Sequence, residues 1–293
     1  MPSTPSALQA DWLGACRAAS QGLREVLVAH PTSRERVVET GNRGEGGDQT
    51  LVIDELAEGV VFAQLDALHA DGARFVAVSE ERGIVDYGDG DVIVVIDPID
   101  GSLNAKRGMS NYSLSIAVAD AGGHADAATM ADVVFGYVYD FGPGEEWTAR
   151  RGEGARLDGR LIDSPPPERR MRDGRLELIA MESSDPRWMA PAMDGLVAHV
   201  NRVRAIGSIA ISLCQLASTR VDGMLTLWRT RAVDVAAAQL IARESGALVA
   251  FPAYDDPLAA PLDVEPHSPV VAARTPEALA QLTSIVGPAR APS

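Results

Sequence analysis

Two aspartates stand three positions apart in DPIDGSLN, residues 97–104, directly behind the apolar run VIVVI. Carboxylates so close repel, and burial penalises each one. A divalent cation offsets both costs. Carboxylate and phosphate oxygens are hard ligands that select Mg2+, with Mn2+ as a substitute. Pro98 fixes φ and Gly101 permits a sharp bend. Gly101–Ser102 then offers backbone N–H groups and a hydroxyl, the means by which a loop holds a phosphate. Further acids sit at chain bends: Asp54 in LVIDELAE, Glu80 and Glu81 in SEERG, and Asp234 in RAVDVAAA. Read singly, Asp54 and Asp234 are helix N-caps, and Glu80 and Glu81 are solvated loop acids. Read together with Asp97 and Asp100, they describe a metal–phosphate site.

The elements that must position these acids are legible from periodicity. An amphipathic helix is predicted over 6–29, with Leu8, Trp12, Leu23, Val26 and Leu27 apolar. A glycine-rich loop follows, GNRGEGGDQT. A second helix starts near Asp54 and carries Leu56, Val60, Leu65 and Leu68. RFVAV (74–78) reads as a strand. DVIVVID reads as a strand buried on both faces, because its apolar run does not alternate. After a loop at 97–111, YSLSIAVAD alternates and is expected to be half-buried; VVFGYVYD (133–140) is another strand. SPPPERRMRDGR (164–175) is proline-rich and charged, the best boundary, and divides the chain into domains at 1–170 and 171–293. Beyond it come a strand in LELIAME and a helix over 208–221 with Ser208 as N-cap. GMLTLW is a further strand, and a helix runs from about Asp234 to Arg243 with Gly246 just past its end. Strict strand–helix alternation is missing, so the fold class is layered α/β with mixed or antiparallel sheets.

Composition narrows the function. The 293 residues are 46% hydrophobic, enough for a large core, and carry a net charge of −15. That balance argues against nucleic acid or an anionic membrane as the main partner. Cys16 and Cys214 lack metal-ligand spacing and are expected as free thiols in a reducing cytoplasm. The N-terminal residues lack the basic and apolar regions of a secretory signal, and no apolar run of about 18 residues predicts a membrane span.

At this point the motifs resemble a known family. DPIDGSLN is similar to the D-P-I-D-G-T/S-x-N signature of the inositol monophosphatase superfamily of metal-dependent phosphatases. SEERG resembles its glutamate motif, RAVDVAAAQLIARESGALV its C-terminal W-D-x-A-A…E-A-G-G motif, and GSIAISLCQLASTRVDG the helix before that. GYVYDFGPGEEWTARRGEGARLDGR resembles its middle hairpin. Order and spacing hold from about residue 40 to 275. GGDQTLVIDELAE, and Val233 in place of a tryptophan, resemble the archaeal-type branch that hydrolyses both inositol 1-phosphate and fructose 1,6-bisphosphate. The resemblance implies an αβαβα sandwich of the inositol monophosphatase/fructose-1,6-bisphosphatase type, with an N-terminal metal-binding domain and a C-terminal domain that completes the site.

The resemblance also implies roles. Glu80, Asp97 and the Ile99 carbonyl hold a first Mg2+; Asp97, Asp100 and Asp234 hold a second; Glu81 stands behind them or supports a third. Ser102, with Asp54, orients and deprotonates the attacking water, and Glu80 acts beside them. The backbone of Gly101 and Ser102, with Asp100, meets the phosphate. Two departures bear on substrate: Ala105 replaces an aromatic, and no acid stands near Thr226 to hold a ring hydroxyl. Arg202, Arg204 and Arg229, with Arg231 nearby, are candidates for a second phosphate.

The implied activity is a Mg2+-dependent phosphomonoesterase acting on inositol 1-phosphate. Fructose 1,6-bisphosphate is the alternative, then histidinol phosphate, with 3′-phosphoadenosine phosphate last. A homodimer is expected on the pattern of the family. A non-catalytic ligand-binding relative is disfavoured because every ligand position is filled. A Ca2+-binding module is disfavoured because a three-residue acid spacing misses that loop's alternate positions. A serine hydrolase would need the G-x-S-x-G elbow, which is absent.

Overall fold

The computed structural model of the chain describes residues 7–31, 33–36, 39–43, 49–88, 90–163 and 166–286. In chain order, α1 (Trp12–Ala29) and the single turn α2 (Ser33–Arg36) precede a hairpin of β1 (Glu39–Arg43) and β2 (Gln49–Leu51), then α3 (Val52–Ala70). Next come β3 (Val76–Ser79), β4 (Gly83–Asp86), β5 (Val92–Asp100), α4 (Ser102–Arg107), β6 (Ser113–Asp120) and β7 (Val133–Asp140). β8 (Glu145–Arg150), β9 (Gly154–Leu157) and β10 (Arg160–Leu161) complete the first half. The second half supplies β11 (Ile179–Glu182), α5 (Pro186–His199), β12 (Val203–Arg204), α6 (Ile209–Ala217) and β13 (Gly223–Thr226). It ends with α7 (Ala232–Glu244), β14 (Leu248–Ala250), β15 (Val271–Ala273) and α8 (Pro276–Val286).

One sheet has eight strands in the order β10-β9-β8-β7-β6-β5-β3-β4, antiparallel except where β3 runs parallel to β5. The other has five in the order β12-β11-β13-β15-β14, with β11 parallel to both its neighbours. The side chains of β5 explain the stacking. Val92, Val94 and Ile96 pack with Trp12 and Leu23 of α1 and with Val61 and Phe62 of α3. Ile93 and Val95 pack with α6 and α7. The second sheet covers α6 and α7 from the other side, and its far face packs on α5 and α8 through Ile179, Leu196, Leu282 and Ile285. The result is the αβαβα sandwich. Each fully buried Val, Ile, Leu or Phe contributes about 1.5–3 kcal/mol.

Several sequence expectations shift. The first helix begins at Trp12 because Asp11 caps it, its carboxylate accepting from the Gly14 N–H at 2.9 Å. The second starts at Val52, and Leu56 is exposed rather than inward. The stretch 41–50 contains parts of β1 and β2, and its residues 44–48 lie outside the described residues, as do 164 and 165 of the boundary stretch. β6 is buried on both faces except at Asp120, not half-buried, because helices cover both sides of its sheet. Its small residues, Ala117 and Ala119, pack in the core with α6 and α7. The loop at 97–111 contains α4, and SEERG is the turn into β4. α6 ends at Ala217, where Thr219 at φ 62° turns the chain away.

Candidate metal and phosphate site

Glu80 and Asp97 occupy equivalent places on neighbouring parallel strands. Ser79 of β3 pairs with Ile96 of β5, so each acid is the next residue past that last common pair. Asp100 reaches the same place by a different device. In a regular strand, residues three apart face opposite sides. Asp97 pairs with Ser115 and Asp100 with Ser113, so β5 spends three steps where β6 spends two. That extra residue is a bulge, and it cancels the parity. Asp100 therefore turns to the α6 side of the sheet, where Ser208 Oγ donates to it and the N–H groups of Ala210 (2.8 Å) and Ile209 (3.3 Å) cap it. The start of a helix favours such an anion. Asp97 Oδ1 accepts from the Ile99 N–H at 2.9 Å, which draws the Pro98 turn tight.

The bend itself requires glycine. Gly101 has φ +88°, and a Cβ there would stand 2.9 Å from the carbonyl oxygens of both Asn111 and Gly207. Asn104 ties the same loops together, its amide donating to Asn111 O at 2.9 Å and Ile206 O at 2.8 Å. Buried Glu182 accepts from the Ile206 and Gly207 N–H groups and from Ser212 Oγ, fixing the turn that delivers Ser208.

Asp234 lies in the first turn of α7, and its Oδ2 accepts the Arg231 backbone N–H at 3.1 Å. The Arg231 side chain spans two acids. Nη1 donates to Glu80 Oε1 at 2.7 Å, and Nη2 to Asp234 Oδ1 at 2.8 Å. Asp54, in the first turn of α3, pairs with Lys106 of α4, Nζ to Oδ2 at 3.2 Å. Buried Glu58, one turn further along α3, accepts from Ser79 Oγ and the Arg82 N–H and so braces the Glu80–Glu81 turn. Asp54, Glu80, Glu81, Asp97, Pro98, Ile99, Ser102 and Lys106 line a pocket of about 30 Å3. A wider depression of about 420 Å3 between α1 and Tyr139 has a single acid, Glu25, in its lining and no cluster, so the chemistry points to the smaller one.

The electrostatics fit an anion cluster that needs a cation. Burial, followed by the charges of Glu80, Asp100 and Asp234, pushes Asp97 well above the ordinary carboxylate range, with Arg231 pulling the other way. Burial carries Asp100 up to about 7 against the pull of the Ser208 hydroxyl. Glu80 is raised by burial and drawn back by Arg231. Burial opposes the charge on Arg231, yet Asp234 and Glu80 outweigh it and lift the guanidinium above its usual value. Every donor here is a hard oxygen, which suits Mg2+. Among the described residues, no three His, Cys, Asp or Glu side chains already converge as a metal cage. The positive charge between Glu80 and Asp234 is the guanidinium instead.

The expected residues thus separate into two groups. Asp54, Glu80, Glu81, Asp97, Ile99 and Ser102 share the pocket, Asp100 adjoins it through the bulge, and Asp234 joins through Arg231. Arg202 and Arg204 stand apart, exposed at and beside the edge strand β12, where Arg204 Nη1 donates to Val203 O. The Arg229 guanidinium packs over the Trp228 ring, 5.7 Å from its centroid. Sequence reasoning passed over Lys106, the donor role of Ser208 and the ion pairs of Arg231, which it weighed only beside Arg229 for a second phosphate. The signal for Ser208 was its N-cap position; Arg231 had only its spacing three before Asp234.

Residues 9–287 match the Inositol monophosphatase family. A fructose-1,6-bisphosphatase/inositol-1-monophosphatase of Methanothermobacter thermautotrophicus is 31% identical over 211 residues, 70% of this chain and 72% of that protein. One of the same name from Thermococcus kodakarensis is 33% identical over 204 residues, 69% of this chain and 70% of that protein. A Nus factor SuhB of Haemophilus influenzae is 32% identical over 229 residues, 76% and 79% of the two chains. Among solved structures, an inositol monophosphatase–fructose 1,6-bisphosphatase superposes with a TM-score of 0.77 at 24% identity, covering 94% of this chain and 99% of that one. At that identity the likeness speaks for the fold.

Proposed function

Since this chain belongs to the inositol monophosphatase family, and is with it a phosphoric monoester hydrolase, we propose that it hydrolyses inositol 1-phosphate in a site that draws on both halves of the chain. The observation that carries this reading is the placing of Glu80 and Asp97 in one pocket at the ends of β3 and β5, with Asp100 adjoining it on the bulge of β5 and Asp234 linked to Glu80 through Arg231. The family is metal-dependent. We assign Glu80, Asp97 and the Ile99 carbonyl to one Mg2+, and Asp97, Asp100 and Asp234 to a second. Glu81 stands behind them, toward a third. Mn2+ is the expected substitute.

Bound Mg2+ would supply Lewis acidity toward the phosphoryl oxygens, a more acidic water and charge balance at the leaving oxygen. The protein's own part is positioning and proton transfer. Ser102 holds the attacking water and, as it takes the water's proton, gives its own hydroxyl proton to the Asp54 carboxylate. The Gly101 and Ser102 amides, at the start of α4 where N–H groups have no intrahelical partner, meet the phosphoryl oxygens. Pro98 and Gly101 hold these groups in register, so little reorganisation remains for the reaction step. No nucleophilic side chain is required.

The two archaeal relatives named for both activities favour a second reading, hydrolysis of fructose 1,6-bisphosphate at the same site. Arg202, Arg204 and Arg229, none of which lines the pocket, are the candidates for its second phosphate. Histidinol phosphate and 3′-phosphoadenosine phosphate follow in that order.

We also place the chain in the cytoplasm, where the buried, unpaired Cys16 and Cys214 would stay reduced. Among the described residues no helix is long and apolar enough to cross a membrane. We propose 1–170 and 171–293 as its two domains and a homodimer as its assembly.

The test is phosphate release from these four substrates, as kcat/KM, with Mg2+ and with EDTA. Activity on inositol 1-phosphate that EDTA abolishes supports the reading. So does an Asp97→Asn variant that folds but loses activity; full activity in Asp97→Asn would overturn it.

A further inference from the structure

Arg231 lies where a cation is needed. Its guanidinium bonds Glu80 Oε1 through Nη1 at 2.7 Å and Asp234 Oδ1 through Nη2 at 2.8 Å, and its Nε is 3.3 Å from Asp234 Oδ2. In the assignment above, Glu80 serves one metal and Asp234 the other, so a single guanidinium spans a ligand of each. None of these three side chains is more than a quarter exposed, so water screens the pairs only in part.

We infer that Arg231 is a built-in counter-cation that occupies the ligands of the metal-free chain and that divalent metal must displace. The inference rests on the metal-dependent reading of the site. Mg2+ binds carboxylate oxygens at about 2.0–2.1 Å and demands near-octahedral geometry. It would compete with the guanidinium for the lone pairs of Glu80 Oε1 and the Asp234 oxygens. Two positive charges that close would also repel.

The backbone allows the exchange. Arg231 caps α7 in extended conformation, φ −87° and ψ 161°, outside the helix. Its side chain can swing without disturbing α7. Asp234 keeps the hydrogen bond from the Arg231 backbone N–H, so it stays aimed while the guanidinium leaves.

Two consequences follow. Without metal, the guanidinium prevents Glu80 and Asp234 from facing each other uncompensated, and so holds the site together. With metal, breaking its ion pairs subtracts from the binding free energy, and the observed affinity is weaker than the carboxylates alone would give. Arg231 is thus a positioning residue that sets metal affinity. A residue that merely supported the ligands would have the opposite effect on removal.

The experiment titrates MgCl2 calorimetrically into the full chain, without substrate, for wild type, Arg231→Gln and Arg231→Lys, and melts each in EDTA. Arg231→Gln is expected to bind Mg2+ about tenfold tighter or more, a shift of about 1.4 kcal/mol, while melting lower than wild type in EDTA. Arg231→Lys, a point charge that cannot bridge both acids, is expected to fall between. If Arg231→Gln does not fold, Arg231→Lys decides alone: tighter binding supports the inference. Mg2+ affinity equal to or weaker than wild type in the folded variants overturns it and leaves the phosphatase reading standing. A wild-type chain that takes up no Mg2+ overturns both.

Discussion

Lys106 Nζ lies 3.2 Å from Asp54 Oδ2, joining the first turn of α3 to the last turn of the short helix that follows DPIDG. The acid proposed to back the proton acceptor is thereby held against the phosphate loop. Asp54→Asn keeps the shape and removes the charge. It is expected to lower kcat by about 10²–10⁴-fold, the usual worth of a positioned acid–base group, with Mg2+ affinity little changed. Lys106→Met is expected to lower kcat less. Steady-state phosphate release beside a Mg2+ titration checks both, and a normal kcat in Asp54→Asn would remove it from the mechanism.

Ser208 does two tasks with one hydroxyl. Its Oγ donates to Asp100 and accepts the Ile211 N–H at 3.1 Å as the N-cap of α6. Ser208→Ala is expected to cost about 1 kcal/mol from the lost cap and to weaken Mg2+ binding as Asp100 loses a donor. Ser208→Thr, which keeps the hydroxyl, is expected to restore most of both. Urea denaturation and calorimetry measure the two effects separately.

Gly101→Ala is the sharpest test of the bend. The left-handed backbone alone costs a non-glycine residue about 1–2 kcal/mol. The added Cβ would press on two carbonyl oxygens at 2.9 Å, and those belong to the backbone and cannot turn aside. A clear drop in the denaturation midpoint and loss of activity at saturating Mg2+ are expected together. Stability equal to wild type would mean that the loop does not hold this conformation.

A pH dependence follows from Asp140, which is buried beside the β7–β8 turn and raised by that burial to about 6, against the pull of the Gly142 N–H. Above the unfolded carboxylate value of about 4, the unfolded chain has released this proton while the folded chain still holds it. The unfolded state then binds fewer protons, so stability falls as pH rises toward 6. The full effect is up to about 3 kcal/mol. Urea midpoints from pH 4 to 7, with saturating Mg2+ to hold the site's own acids constant, should decline in wild type and flatten in Asp140→Asn. Parallel slopes in the two chains would count against it.

Much of the site was legible because its chemistry is local. DPIDG carries its own bend, and an unbroken apolar run announces a strand covered on both faces, so Asp97 at a buried strand end followed from neighbouring residues alone. β6 misled, since Ala117 and Ala119 look like a solvated face until α6 and α7 are packed against them. The short helix α4 was missed because six residues carry too little periodicity to read. Arg202 and Arg204 were candidates by proximity in sequence to the IGS turn, yet β12 sends them to the sheet edge while the next few residues turn inward to Asp100.

The sequence by itself determined which oxygens are available and how the chain bends to present them, because those properties reside in adjacent side chains and in the freedom of Gly101. Only the tertiary structure decided which partners meet them. Arg231 lies 151 positions from Glu80, and Ser208 lies 108 from Asp100. No periodicity links residues so far apart. They are brought together by the parallel pairing of β3 with β5, the bulge between Asp97 and Asp100, and two helices packed between the sheets, where burial makes an unpaired carboxylate costly and so makes its partner matter.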